Sequence, residues 1–487
     1  MVIESLKYKI LQQFGFAPTQ EQGQALDTFV CFLTDRDPQA VMILRGSAGT
    51  GKTSLSGAIV RTLLQIRQKV MLLAPTGRAA KVFSLGSGAP AYTIHRRIYR
   101  EKAFAGVDGQ FSLNDNLYTD TLFMVDEASM IANMGLGGTT FGSGCLLDDL
   151  VKFVYQGHND RLLLIGDKAQ LPPVGEEESP ALSASVMEGY GLKVYECDLN
   201  EVLRQSQSSG ILYNATLIRQ MITHDAVTGL PLIRFKGFAD IVMMPGAELV
   251  ESLGDSYHHV GMDETMVITR SNKRANIYNN GIRNMVLDRE EELSSGDMLM
   301  IVKNNYFWTE KEKKESGEES AGAVPAFLAN GDRAKVLRVS NYIELYGFRF
   351  ATLLLQLPDY DDYEMQVTGM LDTLQSEAPA LTHEQQEELF RQVEEDYQHF
   401  VPLKADRMKS IRQDAYFNAL QIKYAYAVTC HKAQGGQWAH VYVDQGYMTD
   451  DMLTPDYIHW LYTAFTRATD KLFLVNWPKE QTCEPTD

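Results

Sequence analysis

Cysteine is scarce in this chain of 487 residues: Cys31, Cys145, Cys197, Cys430 and Cys483 stand far apart, with no C-x-x-C pair among them. That spacing excludes a zinc site built on paired thiolates and a dense disulfide framework, and it fits the reduced thiols of a cytoplasmic chain. Long apolar runs are missing as well. No stretch of about eighteen apolar residues offers a membrane-spanning helix, and the start, MVIESLKYKILQQFGF, lacks the basic-then-apolar order of a secretion signal. Positive charge is in short supply, with 45 Lys and Arg against 63 Asp and Glu and a formal net charge of −18. As an average, that argues against a phosphate-rich partner. Its distribution argues otherwise, because residues 355–400 hold twelve acids against one basic residue, Arg391, and supply −11 of the total. The deficit is concentrated in one segment, and a binding groove is equally local.

What is present begins with VMILRGSAGTGKTSLSGAIV. An apolar, strand-like run leads into Gly46, Ser47, Ala48, Gly49, Thr50, Gly51, Lys52 and Thr53, and a helical pattern follows. This strand–loop–helix order is the context of a phosphate-binding loop. Its glycines let backbone N–H groups curl around phosphates, Lys52 neutralises their oxygens, and Thr53 supplies a hydroxyl for Mg²⁺. Downstream, TLFMVDEAS ends an apolar strand on Asp126 and Glu127. Two acids at the mouth of a buried strand suit two tasks, Asp126 for the Mg²⁺ shell and Glu127 to orient and deprotonate an attacking water. Further strand-like runs, KVMLLAPT and RLLLIGD, alternate with helical stretches, which predicts an α/β fold with a parallel sheet covered on both faces. The length allows roughly three domains.

From here the chain resembles the superfamily 1 type B DNA helicases of the RecD/Dda-like family, and the motifs match in the family's order from Thr19 to Val475. PTQEQ resembles the Q motif, which implies that Gln22 reads the adenine. APTGRAAK resembles motif Ia and puts Thr76 on the DNA backbone; His95, in TIHRRIYREK, joins it on the DNA side. GDKAQLPPVG resembles motif III, with Gln170 linking the γ-phosphate to the DNA track. LNEVLRQ resembles motif IV and YTAFTRATDKL motif VI, which implies two arginine fingers, Arg204 and Arg467. AVTCHKAQGGQW resembles motif V, where Thr429, His431 and Gln434 face DNA and Gly436 lies at the nucleotide. Cys430 then becomes a small buried strand residue, neither nucleophile nor metal ligand. One departure stands out: Gln437 occupies a position where related sequences often carry Glu to touch the ribose.

The resemblance implies two RecA-like P-loop domains, 1–195 and 196–300 with 413–487, a hairpin insertion at 98–119 and an SH3-like β insertion at 301–412. It implies ATP and Mg²⁺ as cofactors, single-stranded DNA and duplex junctions as partners, and 5′-to-3′ unwinding. The nearest alternative is a translocase that moves on RNA or without strand separation, which the motor motifs also permit, and a regulatory DNA-binding ATPase is the alternative of another class. In KAFAGVDGQFSL the Asp108-Gly109 pair predicts a two-residue hairpin turn. Phe104 and Phe111 beside it are either stacking residues at a duplex junction or the hairpin's own small core. THEQQEELFRQVEEDYQ reads as a solvated helix with one apolar stripe, in preference to a DNA mimic or an effector surface, and TEKEKKESGEESAGAV as a loop.

Overall fold

The computed structural model describes residues 2–105, 108–134, 142–201, 208–223, 229–316, 324–325 and 327–483. Its first core is a parallel sheet with strands in the order Ala91–Thr93, Lys69–Ala74, Thr121–Val125, Arg161–Gly166, Ala40–Gly46 and Lys193–Leu199. The central strands are buried almost throughout, as continuous apolar runs with no polar alternation require. Successive residues still face opposite ways. Met42 and Leu44 pack with helices Val2–Phe14, Gln20–Leu33 and Lys52–Gln65, while Val41 and Ile43 pack on the other face with helix Leu146–Gln156.

A second parallel sheet has the order Ala427–Thr429, Thr265–Thr269, Trp438–Asp444, Ala468–Val475 and Ile241–Met244. The two sheets are the two RecA-like cores. Between Thr265–Thr269 and Ala427–Thr429 the chain leaves to build a closed barrel of Met298–Ile301, Arg333–Leu345, Phe348–Leu357, Tyr363–Met370 and Leu420–Tyr424. This small barrel fits the SH3-like insertion. Its first and last strands extend to either side of residues 301–412. Asp297, fully buried at the barrel's entry, accepts hydrogen bonds from Arg283 at 3.1 Å, Arg289 at 2.7 Å, Tyr426 Oη at 2.7 Å and the Ser294 amide at 2.7 Å.

Three expectations meet particular outcomes. The hairpin forms, Tyr99–Ala105 against Asp108–Leu113, but Ala105 pairs with Asp108. Asp108-Gly109 therefore opens the second strand and is not the turn; a second glycine, Gly106, precedes it and competes for the turn on equal sequence terms. The acidic segment is a helix, His383–Gln398, capped by Thr382 and Gln385, with only Leu389 and Val393 buried. Lys and Glu are good helix formers, and part of the expected loop is accordingly helix Phe307–Ser316. The Gly-rich sequence MGLGGTTFGSGC between the acid pair and the next helix, which reads as a loop over 135–144, lies outside the described residues at 135–141.

Candidate nucleotide site and nucleic-acid interface

The P-loop turns between the central strand and helix Lys52–Gln65 through Gly49 and Gly51, both at φ 77°, a left-handed geometry that favours glycine. Gly46 is needed for space, since a Cβ there would sit 3.1 Å from Thr50 Oγ1 and 3.3 Å from Leu199 Cβ. Thr50 Oγ1 donates to Ser47 O at 2.8 Å and Lys52 Nζ to Gly46 O at 2.8 Å. Gln22 is buried behind the loop: its amide nitrogen donates to Thr50 O at 2.8 Å, and its oxygen accepts from the Thr19 amide at 3.0 Å in a capping box. Gln22 thus ties the helix start Gln20–Leu33 to the phosphate loop.

Asp126 and Glu127 stand side by side at the end of Thr121–Val125. Burial and the adjacent Glu127 charge raise the Asp126 carboxyl above the usual carboxylate range, against the pull of Lys52. A half-buried carboxylate pair of this kind is electrostatically suited to a divalent cation, and the oxygen donors of Asp126 and Thr53 match the hard-ligand preference of Mg²⁺. Glu127 has φ 52°, ψ 37°, a left-handed conformation that a non-glycine residue holds only under constraint.

Across from it, Gln170 is buried in the turn that follows the neighbouring strand Arg161–Gly166. In the amide orientation that satisfies both sides, its nitrogen donates to Glu127 Oε2 at 3.2 Å and its oxygen accepts from Arg467 Nη2 at 3.1 Å. Arg467 comes from the second core. Its remaining bonds go to Thr463 O at 3.1 Å, Gly436 O at 3.2 Å and Thr466 Oγ1 at 3.2 Å. Glu127, Gln170, Gly436 and Arg467 therefore form one connected group spanning the two cores. Arg204 lies outside the described residues.

Two contacts to the loop were not singled out from sequence. Arg219, in helix Gly210–Thr223, donates to Ser47 Oγ; no motif marks it. Tyr462 Oη accepts from the Ala48 amide at 3.0 Å, and it sits within the motif that supplied Arg467.

The other expected residues gather on the far side of the cleft. Thr76 caps helix Gly77–Ser87, its Oγ1 accepting from the Ala79 amide at 3.2 Å. Gly435, at φ +74°, approaches so closely that a Cβ would lie 3.2 Å from Thr76 Oγ1 and 3.0 Å from Ala79 Cβ. Arg78 spans the same junction, donating to Gln437 O at 2.7 Å and lying 4.5 Å over the Trp438 ring. Thr429 precedes the one-turn helix Cys430–Ala433, His431 is exposed on it, and Gln434 is buried with its amide donating to Leu171 O at 2.7 Å. Gln434 thus faces motif III from this junction. Cys430 is buried as expected, but it opens a helix rather than ending a strand, and burial pushes its thiol up to about 12. No nucleophile is available there.

His95 is half-buried next to the Tyr99 ring, 5.6 Å away, and desolvation lowers its imidazole to about 4, so it is neutral at physiological pH. Its neighbours supply the charge. Burial and Arg97 lower Arg96, and burial and Arg96 lower Lys313. Burial takes Lys432 down to about 8. Arg96, Arg97 and Lys313, crowded together, and Lys432, desolvated, gain from a phosphate anion beside them. The side chain of Phe104 lies outside the described residues. The Phe111 ring packs 4.9 Å from Tyr306, which stacks at 4.7 Å on Phe327. Among the described residues no helix is long and apolar enough to cross a membrane, and no cluster of His, Cys, Asp or Glu forms a three-ligand metal site.

Comparison with known proteins agrees with the motif order. An AAA domain family matches residues 18–228, and a UvrD-like helicase C-terminal domain matches residues 424–475. The ATP-dependent RecD2 DNA helicase of Deinococcus radiodurans is 30% identical over 157 residues, 32% of this chain and 18% of that one. The ATP-dependent DNA helicase dda of Enterobacteria phage T4 is 25% identical over 267 residues, 53% of this chain and 55% of that one. The chain therefore spans less than two thirds of the length of either relative. Pif1 helicase from Bacteroides in complex with ADP-AlF3 and ssDNA is structurally similar at 13% identity and a TM-score of 0.47, over 97% of this chain and 95% of that one. Two parallel-sheet cores, a barrel insertion, the ordered motifs and the matches to RecD2 and dda make the chain similar to the superfamily 1 type B helicases of the RecD/Dda-like kind.

Proposed function

We propose that the chain is an ATP-dependent DNA helicase that moves 5′ to 3′ on single-stranded DNA and separates the duplex ahead of it. The observation that carries the reading is Gln170 held between Glu127 of the first core and Arg467 of the second. Hydrolysis that draws its base from one core and its arginine from the other runs only when the cleft is closed, so turnover and domain movement become one event.

Each residue has a defined task. Lys52 leaves Gly46 O to neutralise phosphate oxygens, and Glu127 orients the attacking water and takes its proton. Arg467 stabilises charge that grows in the transition state. Thr53 and Asp126 would hold Mg²⁺, which when bound neutralises phosphate charge. On the opposite side Thr76, Arg78, Thr429 and His431 meet the DNA backbone, and Gln434 joins that surface to motif III. Opening and closing of the cleft then shifts the two cores along the strand. DNA as the track is supported by the RecD2 and dda relatives, both DNA helicases, and by the crowded cations near motif Ia.

The test is strand displacement on duplexes bearing only a 5′ tail or only a 3′ tail, with ATP. Displacement of the 5′-tailed substrate alone is expected. Displacement of the 3′-tailed one alone overturns the polarity, and displacement of neither, with ATPase still stimulated by single strands, overturns unwinding.

A further inference from the structure

Tyr462 is fully buried between the two cores, on helix Pro455–Phe465 of the second. Its oxygen accepts from the Ala48 amide of the P-loop at 3.0 Å, and its proton goes to Asp167 Oδ2 at 2.6 Å. The other oxygen of Asp167 accepts from the Ala169 amide at 3.0 Å, so the carboxylate is engaged at both ends. Burial and the Asp167 charge hold the phenol far above its ordinary value, and it remains a neutral hydroxyl at any working pH.

The location makes this bond unusual. Backbone N–H groups of a P-loop are the ligands of the phosphates, and here one of them is occupied by a side chain from the opposite core. The same helix is stitched to the segment that follows Asp167. Thr463 Oγ1 accepts from the Leu171 amide at 2.8 Å, and the His459 ring nitrogen lies 2.9 Å from Ala169 O. Gln170, which bridges Glu127 and Arg467, lies inside that stitched segment. A change at Ala48 is therefore two hydrogen bonds, through Tyr462 to Asp167, away from the segment whose Gln170 holds the base and the arginine.

We propose that Tyr462 is a positioning residue that competes with nucleotide phosphate for the Ala48 amide, so that nucleotide binding releases it and shifts the Asp167–Leu171 segment that carries Gln170. The proposal rests on the nucleotide-site reading above and adds to it a route by which occupancy of the P-loop reaches the second core.

Tyr462→Phe keeps the ring and removes the competitor. A fluorescent ADP analogue titrated against the full chain without DNA measures the effect, with thermal unfolding to check the fold and kcat and KM for ATP measured with saturating single-stranded DNA. The variant is expected to bind ADP about three- to tenfold more tightly, the equivalent of one displaced hydrogen bond, with KM reduced in parallel and kcat reduced because Gln170 is no longer repositioned. Asp167→Asn, whose neutral carboxamide accepts the phenol hydrogen bond more weakly than the carboxylate and so loosens the hold on Tyr462, provides a second variant with the same expected direction. ADP affinity equal to or weaker than wild type in a natively melting variant overturns the proposal while leaving the nucleotide site standing. Wild-type protein that binds no ADP overturns both.

Discussion

Arg467 has no carboxylate partner among the described residues; its guanidinium rests on Thr463 O, Gly436 O, Thr466 and Gln170, all neutral. A charge buried on neutral acceptors remains available to an incoming anion, unlike one cancelled in a salt bridge. Arg467→Ala should therefore lower turnover on the order of 10³-fold or more with much less change in nucleotide affinity, because the charge acts chiefly in the transition state. Steady-state ATPase and nucleotide titration check it. A turnover loss below about fivefold would mark Arg467 as an ordinary structural arginine, within the ~1 kcal/mol of a surface ion pair. At this scale the sequence was informative wherever chemistry imposes spacing: Lys52, Asp126, Glu127, Gln170 and Arg467 sit in local patterns. Arg219 does not, and its approach to Ser47 depends on how a helix of the second core lies against the first.

Among the elements, the barrel carries two buried carboxylates with opposite consequences. Asp332 takes hydrogen bonds from Tyr360 Oη at 2.6 Å and the Ala329 amide at 2.7 Å, both on Oδ2, while Oδ1 lies buried without a partner against Gly77 of motif Ia. Burial pushes its carboxyl up to about 7, against those two bonds. With an unfolded value near 4, the folded chain retains a proton that the unfolded chain loses, so this group's contribution to stability falls as pH rises from about 4 to about 7 and stays low above. Asp332→Asn can keep both accepting bonds on its carbonyl and removes the charge. It should stabilise the protein at pH 8, by on the order of 1–4 kcal/mol, and scarcely at pH 4. Equal melting curves at pH 8 would refute this. Asp297 is the reverse case, a buried carboxylate fully matched by Arg283, Arg289, Tyr426 and the Ser294 amide. Asp297→Ala leaves two guanidinium groups without their anion and should cost about 3–5 kcal/mol in denaturant unfolding. Strands, helices and the acidic helix's stripe were legible in the periodicity. The hairpin turn was not, because Gly106 and Asp108-Gly109 offer competing turns and only cross-strand pairing chooses between them.

Across the whole molecule, a chain of net charge −18 still crowds Arg96 with Arg97 and Lys313 and carries Lys432, partly desolvated, on the motif V helix. Single-strand affinity should fall steeply as salt rises from about 50 to 200 mM, since bound cations release counterions from DNA. Fluorescence anisotropy with an oligonucleotide checks this, and a salt-independent affinity would remove the basic surface from the account.

The sequence by itself determined the phosphate loop, the acid pair at a strand end, the parallel α/β class and the order of motifs, since each is a local pattern of residue types set by backbone geometry or by the demands of phosphate chemistry. Only the tertiary structure decided which of these residues touch. It joined Glu127 to Arg467 through Gln170, placed Gly435 on Thr76, and set Tyr462 on the Ala48 amide. The physical reason is that such contacts join residues as far apart as 48 and 462, whose separation in space is determined by how two sheets pack across a cleft and leaves no trace in the neighbours of either residue.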